Sequence, residues 1–69
     1  MNPSLIERFP ILEFFKFAHL PPHLQVISEP FATMAERIAD GEHKRPDEVA
    51  AALRKLLEAK DCAVRARLP

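Results

Sequence analysis

Five residues of this 69-residue chain could together hold a phosphate and a base: Lys16, Phe17 and His19 in one half, Arg65 and Arg67 in the other. A phosphate is gripped best by cationic donors, above all by the planar guanidinium fork of arginine. A base needs an apolar or aromatic plane to stack on, which Phe17 offers. The two groups stand far apart in sequence, so folding or symmetric assembly must bring an arm and a helix end together. A plainer reading stands beside this one, in which Arg65 and Arg67 complement the negative end of a helix dipole.

Other site chemistry is sparse. His19 and His23 are four apart, a spacing that suits metal ligation on a regular helix, but Pro21 and Pro22 lie between them. His19 is therefore expected to cap or pack at the junction of arm and helix. Cys62 is the only cysteine, which excludes an intrachain disulfide and argues against a zinc site. It reads as a small packing residue. No Gly-rich phosphate loop or nucleophile elbow is present, and the acid pairs Asp47/Glu48 and Glu58/Asp61 fall on exposed helix positions. The expectation is a protein that is not an enzyme and uses neither metal nor cofactor.

Three segments must position these residues. An N-terminal arm spans residues 1–20, where Ser4-Leu5-Ile6-Glu7 matches a capping box and Pro10 stops or restarts the helix it opens. Four of the five Phe residues lie between positions 9 and 17, a cluster that must pack on something: a hairpin core, or a partner or ligand. The second segment is a helix over about 21–40, entered through Pro21-Pro22 and closed by the lone Gly41. Leu24, Ile27, Phe31, Met34 and Ile38 form its apolar stripe at spacings of 3, 4, 3 and 4, with Pro30 expected to kink it near Val26. The third is a helix over about 46–68. It has acids in its first turn, arginines at its end, and two stripes. One is alanine-rich (Val49, Ala52, Leu56, Ala59, Ala63, Ala66); the other is larger (Leu53, Leu57, Val64, Leu68). Arg54 with Glu58, and Asp61 with Arg65, are spaced for ion pairs on its remaining face.

The expected fold is all-α: a two-helix antiparallel hairpin over residues 21–69 with an N-terminal aromatic arm over 1–20, assembled as a homo-oligomer. Assembly is expected because so short a chain buries little surface, has no disulfide or metal staple, and is 48% hydrophobic. One stripe of the third helix would pack inside the hairpin and the other would meet a second subunit. Ten basic and ten acidic residues cancel, which argues against a DNA binder. Charge is nonetheless uneven, with seven bases against five acids over residues 42–69. No apolar run reaches the length of a membrane span and no signal-peptide layout opens the chain, so a cytoplasmic protein is expected.

The stretch from His19 to Leu68 resembles the helical-hairpin domain of phage anti-CBASS and anti-Thoeris sponge proteins. The resemblance lies in His19-Leu20-Pro21-Pro22, in Pro30-Phe31-Ala32-Thr33-Met34-Ala35, in Pro46, and in the run from Ala52 through Arg54-Lys55-Leu56-Leu57-Glu58-Ala59-Lys60-Asp61-Cys62-Ala63-Val64-Arg65 to Ala66. It implies a homo-oligomer, commonly a hexamer, in the cytoplasm of an infected bacterial host. Such proteins bind cyclic di- or trinucleotide immune signals without cleaving them and so keep a defence effector inactive. On this resemblance Arg65 and Arg67 would hold phosphates with help from Lys16, Phe17 would stack, and His19 would supply a hydrogen bond or local framework. Where the family carries a tyrosine before the histidine this chain has Phe17 or Ala18, and where it carries a lysine on the first helix this chain has Ala32. The alternative is a small protein–protein interaction module, or a phage regulator without a nucleotide ligand.

Overall fold

The computed structural model describes residues 1–69 as four helical segments with no strand. Helix α1 spans Pro3–Arg8, a 3-10 helix spans Pro10–Phe15, α2 spans Pro22–Ala39 and α3 spans Pro46–Arg65. Proline opens every one of them, at the position where its missing N–H would have no helical partner anyway.

The arm shows why its aromatic cluster is dense. Helix α1 is capped by Asn2, whose Oδ1 accepts from the Ser4 backbone N–H at 2.8 Å, so the cap lies two residues before the expected Ser4. Asn2 is extended and Pro3 follows it, which moves the first helical turn forward. Pro10 ends α1 as expected and opens the 3-10 helix. In a 3-10 helix, residues three apart eclipse one another. Leu12 and Phe15 therefore share one side, Phe9 at the helix's N-cap joins them, and all three are buried, whereas Phe14 projects outward and is 66% exposed. The arm is thus a lid on the core. Leu5, Phe9, Leu12 and Phe15 form one apolar cluster with Ala32, Ala35 and Ala39 of α2 and Leu53 of α3.

That lid changes which face of α2 points inward. The expected stripe was Leu24, Ile27, Phe31, Met34 and Ile38; the buried positions are Leu24, Ser28, Ala32, Ala35 and Ala39. After Leu24 the buried row is displaced by one residue, about 100° around the helix. The physical reason is volume. The 3-10 helix packs its large side chains on α2, so α2 meets it with Ala, while Phe31 and Ile38 pack half-buried at the edge of the cluster. Met34 is left 46% exposed and Val26 70% exposed. The helix continues through Pro30, and the carbonyl this proline cannot bond belongs to exposed Val26, where water can satisfy it.

Helix α3 turns inward residues of both expected stripes, while Leu68 of the larger stripe is 50% exposed. Leu53 is fully buried, and Val49, Leu56 and Leu57 pack half-buried against the same cluster. Ala52, Ala59 and Ala66 lie on the exposed side, and so does Cys62, which is not a packing residue within the chain. The helix ends at Arg65, three residues before the expected end, because Arg67 N–H bonds to the Val64 carbonyl and Leu68 N–H to the Arg65 carbonyl in a tighter turn. The two expected ion pairs of this helix do not form. Lys60 instead lies 3.4 Å from Asp61, and Arg65 Nη2 donates to Cys62 Sγ at 3.4 Å.

The connection between α2 and α3 is fastened by one side chain far from it in sequence and by one of its own. Gly41 takes φ of 85°, the left-handed conformation expected of it. Its carbonyl accepts from Arg8 Nη2 at 2.8 Å, tying the loop to α1. His43 Nε2 donates to the Ala39 carbonyl at 3.1 Å, satisfying one of the free carbonyls at the end of α2, and its ring meets the edge of Phe9. Ten of 69 residues are buried, so the core within one chain is thin.

Candidate functional site

The arm does not stop at the 3-10 helix. After Phe15 the chain runs extended through Lys16 and reaches α2 by a turn over residues 18–20. Gln25 holds this turn against α2, its Nε2 donating to the Leu20 carbonyl at 2.7 Å and to the Ala18 carbonyl at 3.4 Å. Residues 16–19 are thereby laid alongside the middle of α2.

A cleft of about 600 Å³ opens between them. Lys16, Phe17 and His19 form one wall, and Glu29, Thr33 and Glu36 of α2 form the other, over a floor that includes Phe15 and Ala32. Three of the five sequence-selected residues are therefore brought together. The two walls differ in charge: a lysine and a histidine on the arm, two carboxylates on the helix. Lys16 pairs with Glu13 at 2.8 Å, but both side chains are half exposed, so the pair is weak and can be exchanged for a stronger anion. His19 lines the cleft as an exposed residue and neither caps nor packs at the junction. Phe17 is half-buried, one part packed on the core and the rest lining the cleft.

Arg65 and Arg67 do not join this cleft. They lie exposed at and beyond the end of α3, where Arg65 sits in the last turn and complements the helix dipole. Within one chain, the two groups of residues expected to bind an anion stay apart. The residues that sequence reasoning missed are Glu29, Thr33 and Glu36. Their signal was present: positions 29, 33 and 36 follow the helical spacing of a single face, beside Ala32. That face could be recognised as a site wall only once the arm was seen to lie against it.

Lys60 is the other unexpected residue. Its Nζ donates to the Phe14 carbonyl at 2.8 Å, joining the 3-10 helix to α3, and its side chain is only 12% exposed. His19 and His23 do not form part of a metal cluster, since no group of three or more His, Cys, Asp or Glu side chains comes together. No helix is long and apolar enough to cross a membrane. Comparison of the chain with protein-family models, curated proteins and solved structures finds no match.

Proposed function

We propose that this protein binds a cyclic di- or trinucleotide and sequesters it without cleavage, as the phage anti-defence sponges it resembles do. The observation that carries the reading is the cleft in which Lys16, Phe17 and His19 meet α2. Its volume falls in the range of small-molecule sites. Its chemistry divides as a nucleotide does. Lys16 can leave Glu13 for a phosphate, and the ring of Phe17 offers a stacking plane. The carboxylates of Glu29 and Glu36 can accept from the amino and ring N–H groups of a base edge.

In this reading α2 and α3 form an antiparallel hairpin, and hairpins assemble as a homo-oligomer, commonly a hexamer in the proteins it resembles. The exposed alanine row of α3 permits close approach of a second helix. Assembly would let Arg65 and Arg67 of one subunit complete the phosphate contacts of another. The protein would act by affinity and stoichiometry in the cytoplasm of an infected bacterium, with no catalytic group, metal or cofactor.

Native mass spectrometry with a panel of cyclic di- and trinucleotides tests this reading, because assembly and bound ligand are read together. The expected result is a discrete oligomer that retains a cyclic nucleotide, which is recovered intact after denaturation. Lys16→Ala should weaken binding at least tenfold, and Phe17→Leu, which keeps apolar packing but removes the plane, should do likewise. The reading is wrong if no member of the panel binds or if the recovered ligand is cut.

A second reading has its own observation. Val26, Pro30 and Met34 lie exposed along α2 and line a shallow groove of about 420 Å³ with Glu29, Thr33 and Arg37. A protein–protein interaction module would use this face. It would be indifferent to nucleotides, and Met34→Glu would abolish its partner contact while leaving Lys16→Ala silent.

A further inference from the structure

A second cleft, of about 590 Å³, lies between residues 8–11 and the stretch 50–58 of α3 and shares no lining residue with the cleft at Lys16–His19. Its charged lining is Arg8, Arg54 and Lys55 against the single carboxylate of Glu58. In a chain whose charges cancel, that is a local concentration of cations. The expected partner of Arg54 is Glu58, yet neither Arg54 nor Lys55 has a carboxylate within ion-pair distance, since the only pairs are Lys16–Glu13 and Lys60–Asp61. Arg8 is already oriented. One of its amino groups donates to the Gly41 carbonyl, and its guanidinium lies 5.5 Å from the centre of the Phe9 ring.

The shape of the cleft follows from residue size. Ala50 and Ala51 are one helical turn before Arg54 and Lys55, so α3 presents a low surface followed by two long cationic side chains. Phe9, Pro10 and Ile11 provide an apolar wall opposite. A free inorganic anion would use only the cations. A ligand with a phosphate group on a compact apolar body would use both parts.

We propose that this cleft binds a phosphate monoester, with Arg8, Arg54 and Lys55 holding the phosphate and Pro10, Ile11, Ala50 and Ala51 accommodating the organic body. The proposal stands independently of the cyclic-nucleotide reading. The test is a titration of the full chain followed by backbone amide NMR, with phenyl phosphate, inorganic phosphate and benzoate as probes. Phenyl phosphate should bind tightest, with shifts concentrated at residues 8–11 and 50–58 and none at 16–19. Binding should weaken as salt is raised, because exposed charges are screened. The double variant Arg54→Gln/Lys55→Gln, both exposed positions, should keep the native spectrum and lose at least tenfold in affinity, whereas Lys44→Gln should bind as the parent does. Shifts scattered over all cationic residues, equal binding of benzoate and phenyl phosphate, or unchanged affinity in the double variant would each overturn it.

Discussion

Replacing Ser28 with alanine should make this protein more stable. Ser28 lies in the middle of α2 with no solvent exposure, and its Oγ has no hydrogen-bond partner. Leaving a buried hydroxyl unpaired costs about 1–3 kcal/mol relative to its hydration in the unfolded chain. Alanine removes that cost, keeps the Cβ and has the higher helix propensity, by a few tenths of a kcal/mol. Against this stands the space left by one oxygen, a void of roughly 15 Å³, which at about 24 cal/mol per Å³ costs about 0.4 kcal/mol. The balance is a gain of about 1–3 kcal/mol, of which the lower end, about 1 kcal/mol, is taken as the expected effect. For a domain of this size, that corresponds to a rise of about 4–8 °C in Tm. Urea unfolding followed by far-UV circular dichroism measures it, at one fixed protein concentration because assembly would couple stability to concentration. The midpoint should rise with the slope unchanged. A variant less stable than the parent would refute the reasoning, since it would mean that the hydroxyl is paired in solution and contributes to the core.

Two further perturbations test how the arm and loop are fastened. Lys60→Met keeps the aliphatic stem but removes the donor to the Phe14 carbonyl, and should cost about 1–2 kcal/mol, with faster amide exchange in residues 10–15 than in α2. Gly41→Ala should cost about 1 kcal/mol in the same urea assay, through backbone strain at φ of 85° and not through crowding, since a Cβ there meets nothing within 4 Å.

Much of this structure could be read before folding was considered, because its signals are local. Prolines at 10, 22 and 46 and the glycine at 41 punctuate the chain within two or three residues of the observed boundaries. Apolar periodicity identified both long helices, and the density of Phe between 9 and 17 required the arm to pack. The all-helical architecture follows from such features, since each depends on residues only a few positions apart.

The inward face of α2 was a different matter. Both the 27/31/34/38 row and the 28/32/35/39 row carry apolar residues, so periodicity alone could not choose between them by more than the size of the side chains. Size pointed to the wrong row. The 3-10 helix decided otherwise, because its period of three aligns Leu12 and Phe15, next to Phe9 at its N-cap, and delivers their bulk to the cluster that holds the alanines of α2. The sites belong to the same class of outcome. Lys16, Phe17 and His19 were visible as residue types, but Glu29, Thr33 and Glu36 become their opposite wall only when the arm lies along α2. Arg8 meets Arg54 and Lys55 only across a separation of more than forty residues. By itself the sequence determined which segments are helical and which residues could do chemistry; the tertiary structure decided which faces meet, because that depends on filling volume between segments distant in the chain.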